Sequence, residues 1–418
     1  MAGLVVRPST LLSGGSRRIG QWELWENGLV SYDLAVYAAH AASAEDIRDL
    51  MAKDLVLHLG QSGGGFVQVT RGVRRRYSFT VEGPTAVEPE DVPEKVLAVL
   101  LGAQWLYSII VEGSSQPEIP HARRFARRLA QALDGAALDC QTEETWCRSR
   151  SRQGQPPVRR ERVSTVELSW YCLRDDLVPD PAALYAEVAQ GLFPEALPRR
   201  FGETEPFQGK WADAGRAGFL DSWHKADGRL FTAGSWPCVG GHVDAGPSAT
   251  FPSGFWSMSL EFFTEPMRDP AWRAALQQLF VRLADGLPAF YAAADITTGH
   301  IWSGRSLWAD NETEWRIVPV RFREGWLGLP PKPTWWAWLG EPFHDYFPSL
   351  PAARTVATAG GVLYSARDEP DDPGSPVSLA TWLPEGLFAR LADNPTGQQP
   401  VPLTRAVTIP GRLRRANP

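Results

Sequence analysis

The sequence predicts an α+β protein made of two tandem ferredoxin-like α/β sandwich units, with a Trp- and Pro-rich irregular strap on the second. Three observations carry that prediction. Apolar residues recur with period two in some runs and at helical spacing in others, so strands and helices are mixed along the whole chain. Set side by side, both halves run strand, helix, two strands, helix, strand. Between the halves, residues 148–162 hold six arginines, two prolines, Ser, Gln and Gly with hardly an apolar side chain, which is how an exposed linker reads. The expected domains are 1–147 and 163–393, with the linker at 148–162 and a tail at 394–418, and 418 residues suffice for two proper cores.

In the first unit, runs at 22–25 and 29–38 flank the turn residues Glu26, Asn27 and Gly28 and predict an opening hairpin. Ser43 as N-cap, with Asp46 three residues on, starts a short amphipathic helix over 44–53. Strands are expected at 65–70 and 74–81 about a turn at Gly72, then a helix over 89–101 and a buried strand over 105–111. A helix over 119–133 puts Arg123, Arg124, Arg127 and Arg128 on one face and Phe125, Ala126, Leu129 and Leu133 on the other, before Asp134 and Gly135 stop it. A short strand at 136–139 closes the unit.

The second unit opens with a strand over 163–173 and a helix over 180–191, started by the N-cap and N1 pair Asp180 and Pro181. Strand pieces follow at 230–239 and 255–264. A helix over 269–283 places Trp272, Leu276, Leu279, Phe280 and Leu283 on one side, and a strand covers 289–296. Residues 321–350 then hold Trp326, Trp335, Trp336 and Trp338, while Pro330, Pro331 and Pro333 deny the backbone the donors and φ freedom of a regular helix. The stretch is expected as a strap across the second unit, with Trp326, Trp335 and Trp338 inward and Trp336 outward. A last packed piece is expected at 377–391.

Of 18 tryptophans, 14 lie at or after Trp170, so the second half carries either an aromatic-rich core or an aromatic recognition surface. A net charge of −6 counts against general affinity for nucleic acid or anionic membranes. The apolar uncharged run 96–111 is too short to span a bilayer, and no signal segment is read at the start of the sequence. Cys140, Cys147, Cys172 and Cys238 show no CxxC spacing and are too sparse for a disulfide framework. The expectation is a cytoplasmic protein with no membrane partner.

No P-loop, GxGxxG, HExxH or GxSxG signature is present, and no catalytic residue, cofactor or metal is assigned. The glycine-rich 60–65 reads as a hairpin loop. Cys238, His242 and Asp244 have metal-like spacing but read as a Gly-rich turn. Glu203 and Glu205 could pair as carboxylates with Arg199 or Arg200 as electrostatic partner; the plain reading is an exposed strand and turn.

Three pieces in order, 197–206, 325–342 and 360–364 followed by Asp368, Glu369, Pro370 and Leu383, Pro384, Glu385, resemble the immunity proteins of bacterial polymorphic toxins and type VI secretion effectors, in particular the immunity-52-like group. In that group a Trp then Leu-Gly-Pro-Pro segment follows an α+β core; here Leu339 and Gly340 are followed by Glu341 and Pro342. The resemblance spans about 163–393 and implies neutralisation of a cognate toxin by binding. The expected function is accordingly a non-enzymatic protein-binding module. Its candidate partner-binding residues are Trp336, Trp335, Trp326, Phe343, Tyr346, Arg199, Glu203 and Glu205. Two alternatives stand beside it. One is a nucleic-acid- or nucleotide-binding component of a bacterial defence system, acting through the N-terminal unit and the arginine-rich linker. The other is an unfamiliar hydrolase or transferase using Glu203, Glu205, His224 or His242 in a cleft.

Overall fold

The computed structural model describes residues 31–52, 56–63, 65–147, 160–245, 254–304, 307–310, 312–314, 321–322, 325–371, 377–391, 402–404 and 406–415. The expected strand at 22–25 lies outside them. The chain divides into two compact units that part between Arg159 and Arg160, with Ser303–Ser306 assigned to the first.

The first unit is one antiparallel sheet. Its strands are β1 (Tyr32–Ala38), β2 (Leu57–Gly63), β3 (Phe66–Arg71), β4 (Arg76–Ala86), β5 (Trp105–Val111), β6 (Ala136–Asp139) and β7 (Thr145–Cys147), in the spatial order β2-β3-β4-β5-β1-β6-β7. Helix α1 (Ala44–Ala52) starts at a reciprocal cap, in which Ser43 N donates to Asp46 Oδ2 at 2.8 Å and Asp46 N to Ser43 Oγ at 3.1 Å. The helix expected over 89–101 is instead a 3-10 turn, Pro89–Asp91, followed by the short α2 (Glu94–Leu97), because Pro93 interrupts the helical donors. Helix α3 (Ile119–Ala132) lies close to its expected span. Alternation along β1 sorts the two cores: Leu34, Val36 and Ala38 pack with Ile47 of α1 and Phe125 and Leu129 of α3, while Ala35 and Tyr37 pack with Val96 and Leu97 of α2.

The second unit opens with β8 (Glu161–Leu173) and α4 (Pro181–Leu192), whose N-cap Asp180 accepts from Ala183 N at 2.9 Å. Then come β9 (Arg200–Gly202), β10 (Gly209–Lys210), α5 (Trp211–Lys225), β11 (Arg229–Ala233), β12 (Cys238–Asp244), β13 (Phe255–Phe263), α6 (Pro270–Gly286) and β14 (Ala289–Trp302). The remaining elements are β15 (Leu307–Trp308), the ribbon β16 (Arg321–Phe322) and β17 (Gly325–Trp326), β18 (Trp336–Gly340), β19 (Thr355–Ala357), β20 (Gly361–Ser365), the pair β21 (Arg390–Leu391) and β22 (Pro402–Thr404), and α7 (Gly411–Arg415). The large sheet runs β10-β9-β11-β12-β13-β8-β14-β18-β20-β19, antiparallel at every ladder, with β15 on β14. Each unit thus places its first described strand between the strand after its last long helix and the end of a meander: β6-β1-β5-β4 in one, β14-β8-β13-β12 in the other.

Both faces of this sheet are covered. Val166, Leu168, Trp170 and Cys172 meet α4, α5 and α6 on one side. Leu173, Phe255, Phe290 and Tyr291 meet Trp326, Phe343, Leu383, Leu387 and Leu413 from the irregular C-terminal wrap on the other. Three expectations change here. The run expected as one strand at 230–239 is the hairpin β11–β12, since Gly234 to Pro237 turns the chain. Helix α5 had no counterpart in the expectation, because Gly215, at φ +56, and Gly218 blur its helical period. The strap contributes an internal strand, β18, between β14 and β20.

Candidate functional site

The structure sorts the expected partner-binding residues into three places: Trp335 and Trp336 in the helix-side core, Trp326, Phe343 and Tyr346 at the wrap-side core, and Arg199, Glu203 and Glu205 about β9. Trp326, Trp335, Trp336 and Phe343 are all fully buried, and Trp335 stacks on Trp336 with ring centroids 3.9 Å apart. The outward facing expected for Trp336 is therefore corrected. On β18, Trp336 and Trp338 point into the helix-side core and Ala337 and Leu339 into the wrap-side core, so alternation exposes neither set. Tyr346 is half-buried on the 3-10 segment Glu341–Ser349, Arg199 and Glu203 are exposed, and Glu205 is half-buried.

Strand β9 separates Arg199 from the two carboxylates. Arg199 N donates to Ala233 O at one end of β11, whereas Glu203 accepts from Asp227 N at 2.8 Å near the other. The buried Arg200 guanidinium donates to Phe207 O. His224 is exposed on α5, on the helix side of the sheet; His242 is buried on the opposite side, its Nδ1 2.9 Å from Ser259 Oγ. The sheet stands between them, so the cleft imagined for Glu203, Glu205, His224 and His242 is not assembled. The Cys238–His242 turn is likewise strand β12. A bulge between Cys238 and Gly240 sends the thiol into the helix-side core and the imidazole to the other face, so the two cannot close on one ion. Burial pushes the Cys238 thiol up, away from the thiolate that a ligand must be.

Two features escaped the sequence reading. One is a row of buried carboxylates on the wrap side of the large sheet, where register sets Glu261, Glu167 and Asp295 side by side on β13, β8 and β14. Thr165 Oγ1 donates to Glu261 Oε1 at 2.7 Å and lies 3.1 Å from His300 Nδ1. None of the three carboxylates is without a partner. Farther along the same face Arg229 Nε donates to Asp244 Oδ1 at 2.8 Å, and Ser257 N and Oγ both donate to Asp244 Oδ2 at 2.9 Å. Among the described residues no group of three or more His, Cys, Asp or Glu is placed to hold a metal ion. The arrangement is that of a buried polar network laid across neighbouring strands by their register.

The other feature is Trp236, in the loop between β11 and β12. It is 61% exposed, yet its ring meets Trp272 of α6 edge-on at 5.9 Å and 73°. Trp272 is held in turn by Phe193, edge-on at 5.3 Å, and Ser235 N ties the loop to Glu195 O. An aromatic that is fixed from behind and open in front can enter a partner's pocket with little loss of rotamer freedom. The signal for it was the Gly234-Ser-Trp-Pro237 turn composition, read as part of a strand.

The described folds are α+β with antiparallel sheets, and no helix among the described residues is long and apolar enough to cross a membrane. No family model matches the chain, and no curated protein matches it. Among solved structures, Pseudomonas aeruginosa T6SS protein PA0821 is similar at 13% sequence identity and a TM-score of 0.32, covering 50% of this chain and 69% of its own.

Proposed function

We propose that this chain is a protein-binding module, acting without catalysis, that neutralises a cognate bacterial toxin or effector by direct contact. The reading rests on Trp236, a large aromatic kept open to solvent and braced by Trp272. Buried Trp anchors dominate binding energy at protein interfaces, and solvated polar neighbours set partner choice. Arg199, whose N donates to Ala233 O, stands exposed beside the loop that carries Trp236 and supplies a charge for such a rim; Glu203 and Glu205 lie toward the far end of β11. The three-piece resemblance to immunity-52-like proteins supports the toxin as partner. The fold reading that accompanies it is a tandem of extended ferredoxin-like units, supported by the order of last strand, first strand and meander in both sheets.

For the linker alternative, residues 148–159 lie outside the described chain. Of the two linker arginines that follow, Arg162 pairs with Asp310 at 2.7 Å and Arg160 lies over the Trp308 ring at 5.2 Å, so both are engaged within the unit. The proposal is tested by expressing the product of the adjacent reading frame with and without this chain. The wild-type chain restores growth and Trp236→Ala fails to, with unfolding temperature lowered by a few degrees at most. Absence of protection by the wild type, or full protection by the variant, overturns it.

A further inference from the structure

We infer that the tip of the β3–β4 hairpin in the first unit is a docking point for an acidic protein surface with an apolar floor. Arg71 and Arg76 pair across the hairpin and Arg75 N donates to Gly72 O at 3.0 Å, closing a turn in which Gly72 (φ +73) and Arg75 (φ +46) take left-handed conformations. The base of the turn is clamped. Arg71 forks onto Glu118, with Nε at 2.9 Å and Nη2 at 2.7 Å, and Glu118, which also accepts from the Ser78 hydroxyl, stands at the start of α3. The tip beyond the clamp is different. Arg74, Arg75 and Arg76 are exposed and, among the described residues, their side chains make no ion pair or hydrogen bond. Val73 at the apex is fully exposed, at 103%.

Three consecutive guanidinium groups without a counter-charge repel one another, and an acidic partner relieves that repulsion while forming bidentate carboxylate pairs. They are a local inversion of charge in a chain whose net charge is −6, so an anionic partner is drawn to a local cluster such as this one and not to the chain as a whole. The apex decides between partner classes. A phosphate backbone offers nothing for an exposed valine, whereas a protein surface with carboxylates around an apolar floor takes the valine and the arginines together. This contact lies in the first unit and does not depend on Trp236.

The test is fluorescence anisotropy of the full chain with a labelled peptide of Glu and Asp interrupted by Leu, compared with duplex DNA at the same salt. Binding to the peptide is expected. At mid-range values for exposed ion pairs, replacing Arg74, Arg75 and Arg76 together by Ala weakens it about tenfold. Val73→Ser weakens it to a smaller degree. A charge-matched control, Arg48→Ala with Arg124→Ala and Arg282→Ala, removes three other exposed arginines and leaves binding in place. The inference is overturned if the tip variant binds as the wild type does, if the control loses as much, if DNA binds more tightly than the peptide, or if the chain binds neither probe. Failure here leaves growth protection by Trp236 untouched, so the two readings fall separately.

Discussion

Trp236 and Trp272 meet edge-on at 5.9 Å, and of the pair it is Trp236 that stays open to solvent. At 61% exposure, Trp236→Ala costs about 1 kcal/mol of stability or less, the range of an exposed substitution. Chemical denaturation of the two proteins measures it. A loss of several kcal/mol would mean that the indole is a core residue and not a presented one.

Trp336 is the opposite case. Stacked on Trp335 and closed in by Phe280 at 6.0 Å, it fills the helix-side core, and Trp336→Ala lowers stability by about 3–5 kcal/mol. Urea unfolding with an unchanged m-value is the expected record. Partner binding measured on the folded fraction is unchanged.

Asp244 and Arg229 form a buried pair, with side chains 3% and 11% exposed. Arg229→Met leaves the carboxylate without its cation and destabilises by about 3–5 kcal/mol, whereas adding Asp244→Asn recovers part of the loss, because the orphaned charge and not the missing pair is the larger cost. A double-mutant cycle in denaturant reads both. Equal stability of the single and double variants contradicts this account.

The first unit loses stability in acid through Glu118. The Arg71 fork, with the Ser78 hydroxyl assisting, holds its carboxyl below the ordinary 4.5. A depressed folded-state value means the contribution is complete above that ordinary value and is lost as pH falls through the folded one. Glu118→Gln therefore flattens the acid limb of the stability curve between those two points and leaves the neutral and alkaline limbs parallel to wild type. Stability against pH, followed by amide exchange within 66–86, tests it.

Much of the frame was legible. Capping at Ser43 and Asp180 and the apolar faces of α3 and α6 mark helices whose local signals agree with their packing. Strands β5 and β6 stand where the alternation and turn residues put them. What was not legible follows from two causes. Glycines at 215 and 218 hide a helix that tertiary contacts at Phe219 and Trp223 stabilise. A sheet covered on both faces erases the inward–outward distinction on which the facing of Trp336 was judged. The carboxylate row Glu261, Glu167 and Asp295 is a product of register between strands distant in sequence, which no local spacing reports.

The most direct test of the central claim is calorimetric titration of the wild-type chain and Trp236→Ala with the purified product of the adjacent reading frame. Tight binding by the wild type and a loss of about 2 kcal/mol or more, some thirtyfold in Kd, is the expected result for an anchor of this kind. Equal affinity for the two proteins, or no heat of binding with the wild type, contradicts it.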